Sequence, residues 1–122
     1  MLKIDRSQSI SNLGATVTGI DISKDIKSQD KELLKSLWSE CSVLIFPNQK
    51  LHHKDFERFS LIFGEFGEDP FIDSIDDHPN IIEVKKEANE KASHFGGSWH
   101  SDWSFQKKLK NNFINIKNFL IV

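Results

Sequence analysis

The sequence is poor in cysteine, in long apolar runs and in charge of one sign, and each shortage excludes a class of protein. Its single cysteine, Cys41, cannot form an internal disulfide or a cysteine-rich zinc site. No apolar run approaches the roughly 20 residues that span a bilayer, and the amino-terminal residues lack the pattern of a secretory leader. A net charge of -2 gives no general attraction to nucleic acid or anionic lipid. We therefore expect a cytoplasmic protein without nucleic-acid or membrane partners.

The first half of the chain shows patterns of alternating strands and helices. Its 122 residues, 38% of them hydrophobic, suit a single globular domain. Residues 13–21 set β-branched side chains between two glycines and predict a short strand. Apolar residues then recur at helical spacing up to Cys41, which predicts a helix with Ser28 or Asp30 as its cap. Residues 42–46 predict a buried strand that ends in a turn at Pro47.

A second helix and another strand are predicted further along. The helix has an apolar stripe of Phe56, Phe59, Ile62 and Phe63, and Gly64 stands where a left-handed residue often ends a helix. Residues 81–84 are rich in β-branched side chains and predict a strand.

Seven acidic residues and no basic one occur between Arg58 and Lys85. They lack the regular alternate spacing around a turn glycine that a calcium loop needs. We therefore expect a solvated acidic loop rather than a cation site. The seven acids are Glu65, Glu68, Asp69, Asp73, Asp76, Asp77 and Glu83.

The residues with the clearest chemical potential are His100 and Asp102, in an aromatic-rich run that favours extended backbone. On a strand, side chains two residues apart leave the same face, with Cα atoms about 6.6 Å apart. An imidazole and a carboxylate placed in this way supply two ligands of the 2-His-1-carboxylate triad that binds Fe(II). On spacing alone, a His hydrogen-bonded to an Asp without a metal is the more common arrangement. The flanking Trp99, Trp103 and Phe105 would leave the opposite face and are expected in the core.

A rival pair with the same spacing, His53 and Asp55, lies at the start of the second predicted helix. Residues two apart on a helix point about 200° away from each other, so these two cannot share a metal ion. This local context favours His100 and Asp102 as the metal ligands.

Several blocks of sequence occur in an order that resembles the amino-terminal part of the taurine dioxygenase (TauD/TfdA) family. This resemblance covers about residues 9–105 and rests on the order of the blocks rather than on any single motif. The blocks are residues 13–20, 43–49, 63–67, 78–82 and 99–105.

The resemblance implies a mixed α+β, mainly β fold: part of a double-stranded β-helix (jelly roll) with flanking helices, left incomplete. Members of the family are Fe(II)- and 2-oxoglutarate-dependent dioxygenases, which hydroxylate a small organic substrate and release succinate and CO2. His100 and Asp102 would be the first two iron ligands, and 2-oxoglutarate the cosubstrate. The resemblance assigns no side chain of this chain as a catalytic acid, base or nucleophile.

This sequence departs from the family pattern after residue 105. The distal His that completes the iron site, and the Arg that pairs with 2-oxoglutarate, have no counterpart here. His94 is the nearest other histidine, but the flexible Gly96–Gly97 link would have to order at an entropic cost. We therefore do not assign His94 as a ligand.

The last residues, 106–122, read as a divergent tail behind a family-like portion, residues 1–105. Residues 107–122 draw on six residue types only. This bias predicts a frameshift or early end near residues 106–110, and the alternative is a genuine strand at residues 113–117. We expect the chain alone to lack independent catalysis.

Two other functions stay open. The chain is a non-catalytic remnant or interaction module if it keeps only the first half of the fold, and uncovered sheet edges would then favour self-association. A zinc hydrolase that uses His100 and Asp102 lacks a third ligand and a general base near the motif. The residues do not specify the substrate.

Overall fold

The computed structural model describes residues 1–7, 13–67 and 72–83, together with the single residues 89, 91 and 99. This part of the chain contains two helices and five short strands. The elements are β1 (Lys3–Asp5), β2 (Ala15–Thr18), α1 (Ser28–Cys41), β3 (Leu44–Ile45), α2 (His53–Ser60), β4 (Ser74–Ile75) and β5 (His78–Ile82).

Three of the strands form one sheet in the order β1-β2-β3, with β1 antiparallel and β3 parallel to β2. The predicted strand between two glycines is confirmed as β2, where Ala15 and Val17 are buried and Thr18 is exposed. Gly14 and Gly19 flank it with φ of 92° and 75°, a region that glycine adopts without strain. Because β2 and β3 are parallel, α1 crosses between them, as a parallel pair requires.

Helix α1 confirms the helical spacing but differs from the prediction at its start. Lys27 is the N-cap and makes no side-chain cap hydrogen bond, so Ser28 and Asp30 are not caps but members of the first turn. An acidic side chain there still favours the helix, because it faces the positive end of the dipole. Leu34, Leu37 and Cys41 are buried, whereas Leu33 keeps 41% of its surface exposed. The apolar stripe is therefore narrower than the sequence suggested.

The core joins α1, the three-stranded sheet and α2. Phe59 of α2 packs edge-to-face on Phe46 at a ring-centroid distance of 5.2 Å and on Phe63 at 5.5 Å. Trp38 of α1 extends this aromatic group through its own edge contact with Phe63 at 5.6 Å. The buried core residues are Ala15, Val17, Ile22, Leu34, Leu37, Cys41, Leu44, Phe46 and Phe59.

The end of α2 corrects the prediction for Gly64. The helix ends at Ser60 and its C-cap, Leu61, is right-handed, while the glycines with positive φ in the described residues are Gly14 and Gly19. Instead, the backbone N–H of Phe63 donates to the carbonyl of Ser60 at 3.0 Å, and Ile62 does the same to Phe59. Tight turns between residues three apart satisfy the last carbonyls, so no left-handed residue is needed.

Strands β4 and β5 form an antiparallel hairpin that is separate from the main sheet. The predicted strand at residues 81–84 begins earlier, at His78, and its partner β4 was not predicted. Asp77 takes a φ of 63° in the turn, a region in which Asp is more common than most residues.

The mixed α and β architecture is confirmed, but helices hold more residues than strands in the described segments. The two helices have 14 and 8 residues and each strand has two to five, so "mainly β" is wrong for this part. The jelly roll stays a prediction. Neither described helix is long and apolar enough to cross a membrane.

Candidate metal centre

The predicted ligands His100 and Asp102 lie outside the described residues, as do His94, Trp103, Phe105 and the whole tail. Trp99, next to His100, is described, and its side chain is fully exposed at 104%. The expectation that Trp99 packs in the core is therefore wrong, because no described residue covers its ring.

The rival pair behaves as its helical context predicts. His53 and Asp55 both lie in the first turn of α2, and they contact different partners. Asp55 accepts hydrogen bonds from the backbone N–H of His52 at 3.1 Å and from Arg58 Nη1 at 3.0 Å. The ring of His53 instead packs edge-to-face on His78, with ring centroids 4.8 Å apart. The two side chains thus do not converge on a common point.

Glu57 holds a polar contact between α2 and β5 that the sequence analysis missed. Glu57 Oε2 lies 3.1 Å from His78 Nδ1, and Glu57 Oε1 accepts from Asn80 Nδ2 at 3.3 Å. A carboxylate only accepts hydrogen bonds, so this contact needs the His78 proton on Nδ1. A usable signal was present: His53 and Glu57 share a helix face, and His78 and Asn80 share a strand face.

These side chains do not replace the predicted ligands. In residues 1–7, 13–67 and 72–83, no three His, Cys, Asp or Glu side chains are arranged to hold a metal ion. The five described acids of the acidic segment are exposed, which confirms a solvated segment there: Glu65, Asp73, Asp76, Asp77 and Glu83.

A second polar region holds the loop that follows β2. Gln49 Oε1 accepts from the backbone N–H of Ile22 at 3.0 Å, and Gln49 Nε2 donates to the carbonyls of Ile20 and Pro47. In the same loop, hydrogen bonds from Ser23 and then Lys24 lower the pKa of Asp21 to about 2. These contacts fix the loop against the chain that leads into α2.

A family model described as "Taurine catabolism dioxygenase TauD, TfdA family" matches residues 6–110, which is most of the chain. The chain belongs to the TauD/TfdA family. The family resemblance is thereby confirmed, and the matched residues of this TauD/TfdA chain include both His100 and Asp102.

A curated relative shows how much of a whole protein the chain represents. An alkylsulfatase of Acinetobacter baylyi is 28% identical over 94 residues, which cover 76% of this chain and 28% of that protein. The chain therefore spans little more than a quarter of the length of this curated relative.

Solved structures agree with the fold of the TauD/TfdA chain. A taurine dioxygenase from Burkholderia xenovorans superposes with a TM-score of 0.53 at 23% identity, over 64% of this chain and 27% of that one. The protein AAD-2, solved with Mn(II) and N-oxalylglycine, gives a TM-score of 0.50 at 23% identity, over 54% of this chain and 25% of its own. At these identities the likeness concerns the fold alone.

Proposed function

We propose that this chain is the amino-terminal portion of an Fe(II)- and 2-oxoglutarate-dependent dioxygenase. The reaction is hydroxylation of a small organic substrate, coupled to the conversion of 2-oxoglutarate to succinate and CO2. The observation that supports this proposal is the family match, which runs from residue 6 through His100 and Asp102 to residue 110.

In this proposal, His100 and Asp102 are the metal ligands that this chain contributes. One imidazole and one carboxylate suit Fe(II), and they belong to the triad that leaves coordination positions open. When bound, the iron supplies the chemistry with O2, while the protein supplies binding, orientation and a shaped site. The negative charge of Asp102 offsets part of the charge of the cation, and His100 binds it as the neutral imidazole.

The described residues contain no alternative group of three metal-binding side chains. They contain three other histidines, His52, His53 and His78, and none of these belongs to a group of three metal-binding side chains. His78 already contacts Glu57, and His53 packs on the ring of His78. The described part of the chain therefore offers no group of three such side chains as an alternative metal site.

Anaerobic equilibrium binding of Fe(II) to the chain, with and without 2-oxoglutarate, tests the proposal. We expect weak but saturable binding, which His100→Ala and Asp102→Ala each weaken by about tenfold or more, because loss of an outer-shell partner alone costs that much. His53→Ala is the matched control, since it removes the imidazole of the rival pair. Equal Fe(II) affinity in all four proteins would contradict the ligand assignment.

The reaction itself is tested by adding O2 and measuring succinate with an intact version of the protein, which also carries the distal His and the Arg of the family pattern, because we expect no turnover from the chain alone. Taurine and a short alkyl sulfate are the two substrate probes, chosen from the names of the proteins that the chain resembles. Succinate that depends on Fe(II), and that His100→Ala abolishes, would support a dioxygenase. Succinate formation that is independent of His100 would contradict the proposal.

A further inference from the structure

The β4–β5 hairpin, residues 74–82, depends on contacts outside itself. An isolated two-stranded hairpin is marginally stable in water. All its side chains keep some exposure to solvent, and the buried core residues belong to other elements. Its two strands pair through only a few residues and with an irregular register between Ser74 and Ile75. The hairpin therefore needs an anchor elsewhere in the molecule.

Helix α2 provides this anchor through a single carboxylate. His78 and Asn80 are two residues apart on β5, so their side chains leave the same face of the strand. Glu57 uses one oxygen for each of them, Oε2 for His78 at 3.1 Å and Oε1 for Asn80 at 3.3 Å. The side chains of His78 and Glu57 are 16% and 20% exposed, so water competes little for the hydrogen bond between these two, whereas the one from Asn80 is exposed. The ring of His53, one helical turn before Glu57, covers His78 from the side.

Glu57 lies on a helix that is packed into the aromatic core. Glu57 lies two residues before Phe59, which is 1% exposed and packs between Phe46 and Phe63. The backbone of Glu57 could move away from the hairpin only if α2 and the aromatic core moved with it. The weaker side of the junction is the hairpin. Among the described residues, it loses two hydrogen bonds, one ring contact and partial burial when it leaves.

We propose that the β4–β5 hairpin opens as a separate unit, and that the carboxylate of Glu57 is the group that holds it on α2. In the open form, the hydrogen bonds from His78 and Asn80 to Glu57 are broken while the core stays folded. Units of this kind open with a free energy below that of global unfolding. The inference concerns the described residues only and is independent of iron binding and of the proposed reaction.

Amide hydrogen exchange of the full chain, followed residue by residue, tests this proposal. In the wild type, we expect the amides of Ile81 and Ile82 to exchange faster than those of Val17 and Leu37, with little dependence on low denaturant concentrations. Glu57→Ala leaves two donors without their acceptor, and we expect about tenfold to hundredfold faster exchange in the hairpin. Exchange in β2 and α1 should stay unchanged.

Three further variants keep the test decisive. Glu57→Gln retains an acceptor oxygen and should restore part of the protection, while Asn80→Ala, at an exposed position, should show a smaller effect of the same kind. Glu32→Ala removes a glutamate of α1 that pairs with Lys35 at 2.9 Å, and it should leave the hairpin unchanged. Unchanged hairpin exchange in both Glu57→Ala and Asn80→Ala would overturn the proposal. Equal acceleration of the hairpin and the core in either variant would also overturn it.

Discussion

The aromatic core and the junction between α2 and the β4–β5 hairpin are stabilised in different ways. The core is apolar and closely packed, with Phe59 between Phe46 and Phe63. The junction is polar and half-buried, with Glu57 between His78 and Asn80. Apolar burial is shared among many neighbours, whereas the junction rests on two hydrogen bonds and one ring contact. The core should therefore unfold as a whole, and the hairpin should open alone.

The largest effect is expected from Phe59→Ala, which removes a buried aromatic ring from the centre of the core. We expect a loss of about 3–5 kcal/mol in the free energy of unfolding, because the ring leaves a cavity that neighbours fill only in part. Urea unfolding followed by circular dichroism measures it. The hairpin should lose protection together with the core, since α2 carries its anchor.

Leu61→Ala is the control for this substitution. Leu61 follows α2 directly and is 53% exposed, so its truncation should change the unfolding free energy by about 0.5 kcal/mol or less. Similar losses from the two variants would contradict the position of Phe59 in the core.

Gln49 is expected to have the next largest effect, because its amide joins three backbone groups beside the core. Gln49→Ala leaves the N–H of Ile22 and the carbonyls of Ile20 and Pro47 without these hydrogen bonds, at a cost of about 2–3 kcal/mol. Gln49→Glu keeps the acceptor but sets a carboxylate against two carbonyl oxygens, so it should not rescue stability. A Glu variant as stable as the wild type would exclude the donor role of Gln49 Nε2.

The two glycines that flank β2 should differ slightly in their tolerance of a methyl group. Each has positive φ, so alanine costs about 1–2 kcal/mol at either position. An added Cβ at Gly19 would also collide with the carbonyl oxygen of Met1, whereas at Gly14 its nearest neighbour is the carbonyl oxygen of Val43 at 4.0 Å. Gly19→Ala should therefore melt at a lower temperature than Gly14→Ala. The reverse order would contradict the close approach of the amino terminus.

The smallest effect concerns the pH dependence of the loop at Asp21. The pKa of Asp21 falls from 3.8 to about 2 in the folded chain, because Ser23 and Lys24 donate hydrogen bonds to its carboxylate. A lowered folded-state pKa gives a stabilising contribution above about pH 4, which is lost as the pH falls towards 2. Carboxyl-carbon NMR should show this titration, and Ser23→Ala should return the pKa of Asp21 towards 3.8. An unchanged pKa in Ser23→Ala would show that Ser23 is not its main cause.

Local patterns predicted the core elements of this chain well, because periodicity depends on neighbours in sequence. Strand β2 and helix α1 were predicted from their own residues. The predictions failed in two details that tertiary packing decides: the burial of Leu33 and the role of Gly64 at the end of α2. Strand β4 was missed because two residues carry too little signal. Its hairpin is attached through Glu57 and His78, which are 21 positions apart in sequence. Spacing shows that His53 and Glu57 share a helix face and that His78 and Asn80 share a strand face, but it does not show that these two faces meet.

The candidate metal ligands were predicted from local helix context and from the order of the sequence blocks. The spacing of His100 and Asp102 alone did not distinguish them from His53 and Asp55, and the helix context removed the second pair. The described structure confirms this separation, since Asp55 contacts Arg58 and His53 contacts His78. The order of sequence blocks then identified the family, which the family match confirms.

One measurement compares the two histidine-containing regions directly: broadening of backbone amide NMR signals by substoichiometric Mn(II), a metal present in the related AAD-2 structure. Mn(II) is paramagnetic and broadens the signals of nuclei near its binding site. We predict that broadening centres on Ser101 and its immediate neighbours. Broadening centred on His53, Glu57 and His78, with Ser101 unaffected, would contradict this prediction.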